Sequence, residues 1–403
     1  MKIAFIVNGF PSLSETFILN QITGLLDIGH DVEIFAECNP NEKKVHLDVK
    51  RYGLMQRTHY FNIPRNKIIR ILKAIYLTIL NFHKSPIKIL KSLNIFKYLK
   101  LGTIYLIIPF LDKKFDILHC HFGPNGIEGV CLKELGVSRR CVTSFHGYDV
   151  NSYPNIAGKK VYEDLFRKGD FFTANTHFTK EQVIKLGCNK EKITILSAGL
   201  RIEKFKFSLK RVQPGQLIKI LTVGRLVEKK GHKYVIEALA RIIPEYKNIL
   251  YIIAGDGTLR NKLQSLVSQL GIKDYVKFLG AVGQEEVIRL YQEAHIFILA
   301  SVTAENQDRE GQGLVLQEAQ VSGLPVISTF HNGIPEGVLN NKSGFLVPEK
   351  DVDALAERIE YLINHPEIWP EMGRAGRKFV EEHYDINKLN KRLVEIYQKL
   401  IET

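Results

Sequence analysis

The chain has only five cysteines, an odd number, and no two of them form a Cys-x-x-Cys pair. That argues against both a disulfide framework and a zinc site of the usual spacing. Cys38, Cys120, Cys131, Cys141 and Cys188 read instead as buried reduced thiols of a cytoplasmic protein. No apolar run has the length of a membrane span; residues 101–111 reach about half of it. The opening Met1-Lys2-Ile3-Ala4-Phe5-Ile6-Val7 meets turn residues at once, so it reads as a first β-strand and not as a secretory signal. There is no solenoid repeat and no low-complexity tract. A dinucleotide fingerprint is also missing. Gly255-Asp256-Gly257 alone is too little for one, which argues against nicotinamide chemistry. Finally, residues 50–100 contain no Asp or Glu at all.

What is present is a 403-residue chain, 45% hydrophobic and 25% charged, with a formal net charge of +13. That is an ordinary globular composition, long enough for two domains of about 200 residues each. Strand-like runs fall at residues 2–7, 31–35, 117–120, 141–145, 171–174 and 193–196. After the Pro214-Gly215-Gln216 turn they resume at 218–223, 249–254, 276–279, 296–299, 325–328 and 344–347. Helix-like periodicity separates them, at 15–26, 234–241, 259–270 and 352–364, and closes the chain at 385–401. Such alternation predicts an α/β fold with parallel sheets covered by helices. The expected division is 1–205, 206–384 and a terminal helix in 385–403, with ligands in the cleft between the sheets' C-terminal ends.

The acid-free stretch carries twelve Lys and Arg, from Lys50 to Lys100, interleaved with apolar residues as in Ile68-Ile69-Arg70-Ile71-Leu72-Lys73. A basic amphipathic segment near 50–114 is suited to an anionic membrane surface. Two other readings stand beside it. One is a solvated basic face with its apolar side packed on the core; the other is nucleic-acid binding, for which no recognition motif is present.

Three segments carry chemistry. Glu310-Gly311-Gln312-Gly313-Leu314 leads into a helix holding Glu318. The glycines permit close backbone approach, the helix start suits a phosphate, and the carboxylates suit sugar and ribose hydroxyls. Gly224-Arg225-Leu226-Val227-Glu228-Lys229-Lys230-Gly231 follows a strand, so Arg225 and Lys230 are candidates to neutralise a diphosphate. Taken alone, such a loop is usually solvated surface. Ser144-Phe145-His146-Gly147-Tyr148-Asp149 also follows a strand and would set His146 at the cleft edge. In His119-Cys120-His121, alternation sends both imidazoles to one side. They read as acceptor-cleft lining, with a metal pair lacking a third ligand and a satisfied core histidine as the other readings.

Together these segments resemble the family-four retaining glycosyltransferases of GT-B fold, in which two Rossmann-like domains face each other. The marks are Glu-x7-Glu from Glu310 to Glu318, Gly224-Arg225 with Lys230-Gly231, the run Ser322-Gly323-Leu324-Pro325-Val326, and Gly333-Ile334-Pro335-Glu336. The resemblance implies a nucleoside-diphosphate sugar donor whose diphosphate is held by Arg225 and Lys230. It places Glu310 on the sugar, Glu318 on the ribose, the backbone of Gly311, Gln312, Gly313 and Leu314 over sugar and phosphate, and Phe278, Leu279 and Val282 around the base. His146 matches the histidine near the reacting sugar, and the terminal helix would cross back onto the first domain. The first loop, Ser14-Glu15-Thr16-Phe17, lacks the family's commoner glycine pair and looks like the colanic-acid and amylovoran enzymes. Glu15 and Thr16, with His119, His121, Tyr148 and Asp149, are the expected acceptor contacts. No metal or cofactor is expected. The acceptor expected is a lipid-linked glycan at the inner face of a bacterial plasma membrane. A sugar-nucleotide epimerase of the same fold and a catalytically silent binding partner are the alternatives.

Overall fold

The structure, a computed structural model, describes residues 1–42, 44–94 and 103–402. It contains two parallel sheets. The first comprises β1 (Lys2–Gly9), β2 (Asp31–Cys38), β3 (Thr58–Tyr60), β4 (Phe115–His121), β5 (Ser138–Phe145), β6 (Phe171–Ala174) and β7 (Ile193–Ile195), in the order β3-β2-β1-β4-β5-β6-β7. The second comprises β8 (Ile218–Val223), β9 (Ile249–Ala254), β10 (Val276–Gly280), β11 (Ile296–Leu299), β12 (Val326–Thr329) and β13 (Gly344–Val347), in the order β10-β9-β8-β11-β12-β13.

The apolar runs form strands because helices cover both faces of each sheet, so alternate residues are buried on opposite sides. Ala4 and Ile6 join one core and Ile3, Phe5 and Val7 another. In the second sheet Ile220 and Ile298 pack on one face, and Leu221, Phe297 and Leu299 on the other. Strand order reverses between β1 and β4 and between β8 and β11. At each reversal the flanking crossovers leave to opposite faces, which opens a crevice at the strands' C-terminal ends. The loops after Gly9, His121, Val223 and Leu299 therefore border the two crevices.

The last helix, Ile386–Glu402, buries Leu389, Leu393 and Tyr397 in the core beneath the first sheet. Its Asn390 Nδ2 donates to the Gln21 carbonyl at 3.4 Å. Gly24 makes room for that side chain, since a Cβ there would lie 2.1 Å from Asn390 Nδ2. Each large side chain buried this way contributes about 1.5–3 kcal/mol.

Some sequence expectations are corrected. Strands 31–35 and 141–145 extend to Asp31–Cys38 and Ser138–Phe145, and β3 and the helix Trp369–His383 were not foreseen. Cys38 is exposed, whereas the other four cysteines are buried and free. Of the apolar run 101–111, residues 101 and 102 lie outside the described residues, as do Lys97 and Lys100. The remainder forms the buried helix Thr103–Ile107 and the turn Ile108–Phe110, a core element. Among the described residues no helix is long and apolar enough to cross a membrane.

Candidate active site

Three of the loops at the strand ends converge. After β8 the chain passes Gly224 and Arg225 and turns at Gly231, whose φ of +67° and close approach to the Ala300 carbonyl only glycine permits. Lys230 thereby meets Glu310 with Nζ–Oε2 at 2.5 Å, both side chains largely enclosed. Burial alone would raise the Glu310 carboxyl, but Lys230 and Lys229 outweigh it and hold the group down to about 2. Lys229, which the sequence reading passed over, ties the same two loops together through Asp308 at 3.0 Å.

The helix Leu314–Val321 starts at Gly313, whose φ of +73° supplies the left-handed turn before it. Its first N–H groups carry partial positive charge. Glu318 is buried one turn further along and accepts from Tyr291 Oη at 2.9 Å. Burial lifts its carboxyl to about 7, against the opposing pull of Tyr291 and Lys230. Two residues that sequence reasoning missed fix Glu310 from behind. The buried His331 accepts from the Glu310 N–H at Nε2 (3.1 Å), while its Nδ1 stands 2.6 Å from Glu349. Asn332 Nδ2 donates to the Glu310 carbonyl at 3.0 Å. Polar residues placed just after β12 were the available signal.

The first domain reaches the same seam through His146. A Cβ on Gly311 would lie 2.1 Å from the His146 carbonyl oxygen, so the two loops touch backbone to backbone. The Gln312 side chain is buried and spans the seam: it accepts from the Ala198 N–H at 2.8 Å and donates to the Ala198 carbonyl at 2.9 Å. Glu336 crosses too, capping the helix His177–Lys185 by accepting from the N–H groups of His177 and Phe178 at 2.7 and 2.9 Å. Such a charged cap contributes about 1 kcal/mol.

His146 stacks on His121 with ring centroids 5.2 Å apart, and His121 on His119 at 4.7 Å. The His121 Nδ1 to His146 Nε2 distance is 3.0 Å. Burial pushes His146 and His119 down to about 3 and lowers His121 well below its ordinary value, so all three rings are neutral near pH 7. Alternation does send His119 and His121 to one side, but that side is closed, which corrects their reading as cleft lining. His119 is fully buried between Tyr397 and Ser144, and His121 supports His146 from behind. Asp149 is likewise internal. Its carboxylate accepts from the N–H groups of His146, Gly147 and Gly123 at 3.0, 2.8 and 3.0 Å, which fixes the turn that carries His146. Tyr148 is exposed beside it.

Glu15 precedes the helix Thr16–Asp27, with Thr16 half-buried at its start. Burial raises the Glu15 carboxyl to about 7, with Arg225 opposing from across the seam and Glu42 adding to the rise. Arg225 itself is exposed. Phe278, Leu279 and Val282 are half-buried at the end of β10. Lys44 Nζ of the first domain reaches the neighbouring Ala281 carbonyl at 2.9 Å.

Two Rossmann-like domains facing each other across a seam lined by strand-end loops define the GT-B architecture. A family model described as Glycosyl transferases group 1 matches residues 203–379, and one described as Glycosyltransferase Family 4 matches residues 14–204. The chain is 34% identical to a putative colanic acid biosynthesis glycosyltransferase, WcaL, of Escherichia coli, over 99% of this chain and 100% of that one. It is 36% identical, with the same coverage, to the amylovoran biosynthesis glycosyltransferase AmsK of Erwinia amylovora. The crystal structure of Anabaena Alr3699/HepE in complex with UDP and glucose shares the fold, with a TM-score of 0.76 at 17% identity over 99% of this chain and 100% of that one. The chain belongs to the family 4 glycosyltransferases.

Proposed function

We propose that the protein is a retaining glycosyltransferase that moves a hexose-type sugar from a nucleoside-diphosphate sugar to a lipid-linked glycan. The product would be an exopolysaccharide or surface polysaccharide. The observation that carries this reading is the direct pairing of Lys230 with Glu310 where Gly311 packs on the turn that holds His146. One small volume thus gathers a cation for a diphosphate, a carboxylate for sugar hydroxyls, a helix start for phosphate and a neutral imidazole. The relatives named for colanic acid and amylovoran biosynthesis support the pathway class, and the neighbour's UDP and glucose support the donor class.

On donor entry Lys230 turns from Glu310 alone to the diphosphate and shares it with Arg225. Glu310 is then free to accept from sugar hydroxyls, Glu318 from the ribose, and Phe278, Leu279 and Val282 bracket the base. Glu15, Thr16 and Tyr148 face the acceptor. In a front-face reaction the acceptor O–H approaches C1 on the side of the leaving group. The C1–O(phosphate) bond breaks as the C1–O(acceptor) bond forms, and the acceptor's proton passes to the departing phosphate oxygen. Arg225, Lys230 and the start of the helix Leu314–Val321 stabilise the growing negative charge. His146 holds a sugar hydroxyl as a neutral partner. The chemistry of this step asks for no metal.

The test is thermal-shift binding against UDP-, GDP-, ADP- and dTDP-sugars, with Arg225→Ala beside wild type. Selective stabilisation that is lost in the variant is expected. No stabilisation by any of them would overturn the donor assignment.

A further inference from the structure

The helix Lys67–Asn81 is amphipathic, yet it sits with its polar side toward the protein. Viewed down the axis at about 100° per residue, Arg70, Ala74, Thr78 and Asn81 share one side. That side faces inward: Ala74 and Asn81 are buried, Arg70 Nε donates to the Pro64 carbonyl at 2.8 Å, and Tyr105 Oη donates to the Arg70 carbonyl at 2.7 Å. The opposite side carries Ile68, Leu72, Ile75 and Ile79, which are 68%, 63%, 53% and 72% exposed. In the next helix, Pro86–Asn94, Ile89 is buried while Ile87 and Leu90 are exposed. Of the readings the sequence leaves for this segment, the one that packs the apolar side on the core is therefore set aside. Only Ala74 and the half-buried Leu77 join the core beside the Thr103–Ile107 segment, and the helix offers its larger apolar side to the outside.

Proteins rarely leave a contiguous apolar face of this kind uncovered. Its rim settles what covers it. Arg65, Lys67, Lys73, Lys84 and Lys91 are exposed and form no ion pair among the described residues. No acidic residue interrupts the stretch from 50 to 111. A second copy docking by two-fold symmetry would bring this rim against itself, like charge on like. An anionic lipid surface meets both demands, taking the isoleucines into the acyl boundary while its headgroups neutralise the lysines.

We infer that the helix Lys67–Asn81, together with Ile87 and Leu90 of the following helix, is an in-plane membrane anchor of this protein. It seats the first domain on anionic lipid independently of substrate. The inference deepens the lipid-linked acceptor reading and rests on it for its biological setting. The helix lies flat on the surface and the crossing of the bilayer is not involved. Anchoring holds the acceptor-facing loops near the plane in which a lipid-linked glycan diffuses.

The test is co-sedimentation of the full chain with vesicles of phosphatidylcholine alone, or of phosphatidylcholine with phosphatidylglycerol. Neither nucleotide-sugar nor glycan is present, so the result stands apart from whether transfer occurs. Wild type is expected to sediment with the anionic vesicles and to be released by salt. The triple variant Leu72→Ser, Ile75→Ser, Ile79→Ser is expected to lose about tenfold or more in partitioning with little change in thermal midpoint, because these side chains are more than half exposed. A second variant, Lys73→Gln, Lys84→Gln, Lys91→Gln, is expected to lose the preference for phosphatidylglycerol. Failure of wild type to bind either vesicle, or equal binding by wild type and the triple variant, would overturn the proposal. So would a lipid-free wild-type dimer that the triple variant dissolves, since that makes a second copy the occupant. In each of these cases the donor assignment stands or falls on its own thermal-shift test.

Discussion

The α-carbon of Gly311 meets the backbone carbonyl of His146 so closely that a single added carbon would sit 2.1 Å from the oxygen. This contact sets the distance between the loop that carries Glu310 and the turn that carries His146. Both neighbours are backbone, and the His146 turn is pinned by Asp149, so neither yields easily. Gly311→Ala should cost about 1–3 kcal/mol of overpacking, relieved in part by parting the two domains. The expected outcome is a lower thermal midpoint, a larger radius of gyration in solution scattering and loss of transfer. An unchanged radius with full activity would show that the seam is not held at this point.

Lys230 and Glu310 test whether the site's charges hold each other in place. Lowering the carboxyl from 4.5 to about 2 corresponds to about 3 kcal/mol of stability. Because the folded-state value is depressed, that contribution is complete above 4.5 and is lost as pH falls toward 2. Lys230→Met leaves a buried carboxylate without its nearest cation and should destabilise by about 3 kcal/mol. Adding Glu310→Gln should recover most of that loss, and urea midpoints of wild type, the two single variants and the double variant give the coupling. Additive losses would mean that the two residues do not act as a pair.

Much of this arrangement is legible in the chain, and what escapes does so for physical reasons. The central strands are visible because both faces are buried, which leaves uninterrupted runs such as Ile296-Phe297-Ile298-Leu299. The start of β5 is hidden by Arg139 and Arg140. Arg140 is tolerated in the strand because its guanidinium reaches Asp170 at 3.5 Å. The Lys230–Glu310 meeting is foreshadowed by two motifs at strand ends, but His331 and Asn332 carry no periodic signal and emerge only once β12 is placed beside β11. His119 and Asp149 mislead for a shared reason: both are polar residues at strand ends, and sequence cannot say which of these turn inward to satisfy backbone and side-chain partners. The helix Lys67–Asn81 leaves two readings open in the sequence, since a pattern that reveals an apolar face does not reveal which way that face is rolled.

Asp149 should prove a positioning residue. Removing its carboxylate leaves three N–H groups, those of Gly123, His146 and Gly147, without their acceptor. At about 1–3 kcal/mol for each buried unsatisfied donor, Asp149→Ala is expected to cost several kcal/mol and to displace His146. Asp149→Asn keeps one acceptor oxygen and should lose less stability. If the role is positional, both variants lower kcat while nucleotide-sugar affinity in the thermal-shift assay is retained. Loss of acceptor affinity alone, with kcat and stability intact, would instead make Asp149 an acceptor contact.

Glu318 gives the opposite pH signature to Glu310. Burial raises its carboxyl from 4.5 to about 7, so the folded protein holds a proton there that the unfolded chain has released. Stability therefore falls as pH rises through the window from 4.5 to 7, and the penalty is complete above it, at about 3 kcal/mol. Glu318→Gln keeps an oxygen for the Tyr291 hydroxyl, 2.9 Å away in wild type, and carries no charge at any pH. The variant should match wild type near pH about 4.5 and exceed it in thermal midpoint near pH about 8. If the carboxylate receives the donor's ribose, the same variant should also bind nucleotide-sugar more weakly, trading affinity for stability at one position. A stability difference that stays constant across the window would mean the carboxyl is ionised throughout, and the burial argument for this residue would fail.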